Sequence, residues 1–188
     1  MLHKIKLRLF VFAVIAIMMT MFTQETLAYY ATVGTSTNVI TSGSIRMVIH
    51  EMTDQGTPYP TEGVYIVPGD VVSKQVSIEN DCEHPFYLRV KPVYSVDSQS
   101  LSAEDCFKLN IDQTIWQLHD GWYYYNGIVQ PGQTTPDVFS YVEIVGSEVD
   151  NRYLPNTLSL TVVAQAVQSE NNPITDNNTF TAFGWPAE

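Results

Sequence analysis

Every second residue from Leu158 to Ala166 is apolar: Leu158, Leu160, Val162, Ala164 and Ala166, with Ser159, Thr161, Val163 and Gln165 between them. Neighbouring side chains of an extended chain point to opposite faces, so this pattern offers one whole face to a core, as a strand does and a helix does not. The pattern recurs along the chain. Ser44–Met52 sets Ile45, Met47 and Ile49 against Arg46 and His50. Phe86–Tyr94 sets Phe86, Leu88 and Val90 against Tyr87, Arg89 and Lys91, and Val138–Val145 is a further strand. In Val71–Glu79, Val72, Val76 and Ile78 face one way and Ser73, Gln75, Ser77 and Glu79 the other. Lys74 breaks that apolar face, which points to a position near a sheet edge.

Turn chemistry falls between these runs. Pro68-Gly69-Asp70 and Pro131-Gly132-Gln133 each join a fixed φ to a permissive one. Asn126-Gly127, between Trp122-Tyr123-Tyr124-Tyr125 and Ile128-Val129, is the strongest hairpin signal. Ser102–Phe107 and Ser147–Tyr153 each place an Asp three residues after a Ser, enough for a short helical turn. No segment sustains an apolar period of 3.6. The expected fold is therefore all-β: an antiparallel β-sandwich, jelly-roll or Greek key, with one or two short helical turns.

The chain starts with Lys4, Lys6 and Arg8, then the apolar run Leu9–Phe22, then a polar stretch ending at Leu27-Ala28. This order is that of a secretory signal peptide cut between Ala28 and Tyr29. A membrane anchor is the rival reading, but the run makes a helix of only about 21 Å against a hydrocarbon core of about 30 Å. The expected organisation is a signal peptide at 1–28, an N-terminal segment at 29–43, one β-sandwich domain at 44–168 and a polar tail at 169–188. The tail docks, if at all, through Phe180, Phe183 and Trp185.

Export sharpens the charge. The full chain carries 9 basic and 20 acidic residues; the leader takes three basic residues and Glu25, leaving 6 against 19, a net −13. Such a surface repels phosphate backbones, so no nucleic-acid partner is expected. No D-x-[DN]-x-[DN]-G calcium loop is present. Cys82 and Cys106 are the two cysteines. Outside the cell they form either a disulfide or two free thiols, and spacing alone leaves both open.

Catalytic signatures are missing. His50, His84 and His119 do not have the spacing of an HExxH helix, and a metal site would need distant strands to assemble it. No serine sits in a G-x-S-x-G elbow, and no glycine-rich phosphate loop occurs. The expectation is a protein that is not an enzyme and needs no cofactor. Trp116 and Trp122–Tyr125 could stack on a glycan, although alternate rings of a strand belong to the core.

The segment freed by leader cleavage is Tyr29-Tyr30-Ala31-Thr32-Val33, continuing to Asn38. Apart from its amine it is uncharged and rich in β-formers. It is either an ordinary edge strand or a donor strand that adds to a neighbour's sheet. Backbone hydrogen bonds would then give affinity, and alternate side chains register. Repeated head to tail, such a contact builds a filament.

A leader of this kind, followed by Ala28-Tyr29-Tyr30-Ala31-Thr32 with Asn38-Val39-Ile40 and Gly43-Ser44-Ile45, resembles the start of the TasA/camelysin family. These are exported proteins of Gram-positive bacteria whose leaders are cut by a SipW-type signal peptidase. The likeness continues through Pro68-Gly69-Asp70, Lys74-Gln75-Val76-Ser77-Ile78-Glu79-Asn80, Tyr87-Leu88-Arg89-Val90 and Ala164-Gln165-Ala166-Val167-Gln168. The resemblance implies a jelly-roll-like sandwich that assembles into biofilm matrix fibres by donor-strand exchange. Cys82 and Cys106 depart from the family's cysteine-poor pattern. Some camelysin-type relatives are classed as metallo-endopeptidases, an activity for which this chain shows no zinc motif.

The expected role is thus a secreted structural protein at the cell surface or in the extracellular matrix, a fibre subunit or accessory. Its partners would be copies of itself, matrix or cell-surface components, and a signal peptidase during export. The alternatives are a camelysin-like metallo-endopeptidase and a glycan-binding or adhesion module.

Overall fold

The computed structural model describes residues 29–31, 45–97, 102–149, 153 and 157–187. The expected leader, including Ala28, and residues Thr32 and Val33 of the candidate donor lie outside them. The strands are β1 (Tyr29–Ala31), β2 (Met47–Met52), β3 (Val64–Ile66), β4 (Val71–Asn80), β5 (Phe86–Val96), β6 (Phe107–Leu109), β7 (Trp116–His119), β8 (Trp122–Tyr125), β9 (Phe139–Ile144) and β10 (Thr157–Gln168). They form two sheets packed as a sandwich, one ordered β2-β4-β9-β6 and the other β3-β1-β10-β5-β8-β7. The second is an antiparallel sheet, β10-β5-β8-β7, to which β1 and β3 add at the β10 side. The pairing of β1 with β10 is parallel.

The alternation read from the residues is what fills the core. Leu158, Leu160, Val162 and Ala164 of β10 join Phe86, Leu88 and Val90 of β5, and face Val76 and Ile78 of β4 with Phe139, Val142 and Ile144 of β9. Each side chain of this size removed from water contributes about 1.5–3 kcal/mol, so the two inner faces dominate the driving force. The two proline turns share one construction. The Asp70 and Gln133 backbone N–H groups donate to the Val67 and Gln130 carbonyls, at 3.0 and 2.9 Å. In return, the Val67 and Gln130 N–H groups donate to the Asp70 carboxylate and the Gln133 side-chain oxygen, at 2.7 and 2.9 Å. Gly69 and Gly132 supply the positive φ, 92° and 72°.

Among the described residues there is no α-helix. A 3-10 turn at Glu104–Cys106 falls within the expected Ser102–Phe107, and another lies at Thr179–Thr181. The start of the expected Ser147–Tyr153 turn is bonded from the Glu148 and Val149 N–H groups to the Val145 carbonyl; residues 150–152 lie outside the described set.

Three local expectations are corrected. The hairpin is not at Asn126-Gly127 but at Asp120-Gly121, both with positive φ (47° and 78°), joining β7 to β8. With β7 on one side and β5 on the other, β8 has no edge left for a returning strand, and the chain instead crosses to bridge Val129 to Phe86. Lys74 is not near an edge: β4 lies between β2 and β9, and Lys74 is 0% exposed. Nor is the face of β5 opposite its apolar one open to water, since Tyr87 and Arg89 are buried there, 5% and 7% exposed. Residues 169–187 cover that face, with Ala182, Ile174 and Trp185 packed on Tyr87 and Val167.

Candidate functional site

Of the segment singled out at the N-terminus, Tyr29–Ala31 form β1, and β1 is an insert. Tyr29, Tyr30 and Ala31 pair with Ile66, Tyr65 and Val64 of β3 on one side. On the other, Tyr30 and Ala31 pair with Thr157 and Leu158 of β10. Among the described strands, β3 meets its sheet only through β1, and β10 has no other neighbour on that side. Tyr29–Ala31 therefore fills a one-strand gap between two strands of the domain. Of the twelve residues of β10, β1 reaches two.

A cavity of about 680 Å³ lies at the far end of β10. Four consecutive residues line it, Gln165, Ala166, Val167 and Gln168, with Asn171 and Phe183 of the tail also on its wall. Alternate residues of a strand face opposite ways, so a wall made of four in succession is a strand edge rather than a sheet face.

A second cluster holds the tail. The Arg89 guanidinium carbon lies 4.2 Å from the Trp122 ring centre and 4.9 Å from that of Trp185. Its N–H groups donate to Gln165 Oε1, the Tyr124 hydroxyl (2.9 Å) and the Pro186 carbonyl (2.7 Å). Phe180 stacks on His119, ring centres 4.1 Å apart. The rings considered for glycan stacking are thus in use: Trp122 and Tyr124 are each 4% exposed. Phe183, named with the docking aromatics, is 75% exposed.

A third cluster was invisible as such in the residue pattern. Lys74 Nζ lies 3.1 Å from Glu51 Oε2, and 4.8 Å from the centre of the Tyr59 ring. Burial works against both charges. It pushes the Glu51 carboxyl above its usual range and the Lys74 ammonium below its own, while each partner's charge opposes the shift. Burial and the Glu51 charge push the Tyr59 phenol up to about 12. The signal for this cluster was Lys74 itself, a cation at an apolar position of an alternating strand.

The histidines stay apart. His50 Nε2 is 2.7 Å from Glu79 Oε2, His84 Nδ1 is 3.3 Å from Glu170 Oε2, and His119 is beside Asp120. Among the described residues no three His, Cys, Asp or Glu side chains gather as metal ligands. Cys82 and Cys106 are free thiols, Cys82 half-buried and Cys106 buried. No protein-family model, curated protein or solved structure matches the chain.

Proposed function

We propose that this chain is an exported structural protein, a fibre subunit or accessory of an extracellular matrix, that joins to copies of itself by strand addition. The observation that carries the reading is the place of Tyr29–Ala31, the one described strand bridging β3 and β10. A gap that accepts the chain's own N-terminal strand accepts the same strand from a neighbour, through identical hydrogen bonds. Exchange between the two is then governed by concentration and by linker geometry rather than by new contacts. A donor running parallel from Leu158 to Gln168 adds about 33 Å of strand at ~3.3 Å per residue, and ends at the cavity beside Gln165–Gln168. The likeness of the N-terminal start to the TasA/camelysin family supports the same reading.

The test uses the register pair Tyr30 and Thr157. In a Cys82→Ser, Cys106→Ser background, Tyr30→Cys with Thr157→Cys is oxidised at rising protein concentration. Strand addition between copies yields a ladder of covalent oligomers on a denaturing gel. Deleting Tyr29–Asn38 abolishes filaments in negative stain while circular dichroism still reports a β-domain. Quantitative closure within single chains at every concentration, with no filaments, removes the proposal.

A further inference from the structure

The Lys74 cluster has no part in strand addition, and its chemistry is incomplete as a salt bridge. Lys74 is fully buried in the middle of β4, and the Glu51 side chain on β2 is 13% exposed. The register Glu51↔Val76 and Met52↔Gln75 brings the two side chains together across the β2–β4 pair. The Tyr59 N–H donates to the Glu51 carbonyl at 2.8 Å, which folds the intervening loop back so that Tyr59 closes the pocket. An ammonium carries three donors, yet Lys74 Nζ has no well-directed hydrogen bond beside its 3.1 Å ion pair with Glu51 Oε2, and Glu51 Oε1 and the Tyr59 hydroxyl are buried without hydrogen bonds. Three adjoining polar groups thus sit desolvated and under-satisfied at the edge of an apolar core, an arrangement that is costly while both charges persist.

The geometry points to an intramolecular cross-link at this site, an amide joining Lys74 Nζ to Glu51 Cδ. The ion pair first neutralises itself by moving one proton from Nζ to the carboxylate, a transfer that burial favours on both sides. The Nζ lone pair then attacks Cδ. The C–N bond forms, the C–OH bond breaks, and the hydroxyl leaves as water with one of the two remaining amine protons. No oxidant, reductant or co-reactant is needed. Tyr59, its phenol pushed up to about 12, keeps its proton throughout and takes no part in the transfer. The product replaces two buried charges by one neutral amide and ties β2 to β4 covalently, a reinforcement suited to an exported protein under load.

The exported protein is denatured, its thiols are alkylated, its N-terminus is determined, and its intact mass is compared with that of its sequence. The expected mass is lower by one water. Trypsin, which cuts after lysine and arginine, then fails after Lys74 and releases Met47 to Arg89 as one internally bridged peptide. The Lys74→Met protein keeps its full sequence mass. A wild-type mass equal to the sequence mass, with trypsin cutting after Lys74, overturns the proposal, as does a water loss that persists in Lys74→Met.

Discussion

Arg89 and Trp185 are in van der Waals range across the outer face of the six-stranded sheet, the guanidinium carbon 4.9 Å from the indole centre. The contact joins a mid-strand residue of β5 to the end of the chain. It makes a buried cation, normally a liability on a strand, into the anchor of the C-terminal segment. The Trp122 and Trp185 rings and three hydrogen-bond acceptors around it replace the water that Arg89 gives up.

Arg89→Ala is accordingly expected to cost about 3 kcal/mol in urea unfolding, since several charge-assisted hydrogen bonds and two ring contacts go together. Chymotrypsin should then clip the native domain after Phe180 or Phe183, within the loosened tail. Arg89→Lys recovers only part of the loss, because an ammonium cannot present the planar fork that reaches Gln165, Tyr124 and Pro186 at once. Equal stability of Arg89→Ala and wild type refutes the anchor.

Stability is expected to fall on the alkaline side. Burial, with the nearby Tyr123 and Glu104, pushes the Tyr94 phenol up to about 12 from its ordinary 10.0, and Tyr59 is raised to about the same value. Between these values the unfolded chain has released phenolic protons that the folded chain retains. The contribution is therefore complete below about pH 10 and lost as pH rises through about 12. Urea midpoints measured across this window should decline, and Tyr94→Phe should flatten part of the decline. Tyr94 stacks on Phe107 with ring centres 5.2 Å apart, so Phe keeps the packing. An unchanged slope in Tyr94→Phe assigns the decline to other groups.

The two thiols should differ in reactivity. Burial raises the Cys106 thiol above its ordinary value, foremost among the causes, and its sulfur lies 3.4 Å from the Ser102 carbonyl. Cys82 is half-buried, its sulfur 3.0 Å from Asn80 Oδ1. A thiolate is the reacting form. Unreduced native protein is expected to release one equivalent of chromophore from a thiol reagent quickly, and the second only in urea. No release in urea without reductant would mean that Cys82 and Cys106 are paired.

The long strands were legible because alternation is a property of side chains one and two positions apart. Val71–Asn80, Phe86–Val96 and Thr157–Gln168 each announce themselves by it. The same pattern misled where a residue's meaning depended on remote chain. Lys74 reads as an edge residue until β2 brings Glu51 beside it, and Arg89 reads as solvent-facing until the tail covers it. Asn126-Gly127 has hairpin chemistry, yet Asp120-Gly121 has the partner strand.

By itself, then, the sequence determined that the described residues are all-β, which runs are extended, and which side of each run seeks a core, because these follow from local backbone preferences and the period of apolar side chains. The tertiary structure decided the rest: that Tyr29–Ala31 bridges β3 to β10, that Lys74 meets Glu51, and that residues 169–187 close the outer face over Arg89. Each of these joins groups far apart in the chain, and their energies come from pairing and desolvation that exist only once the sheets have assembled.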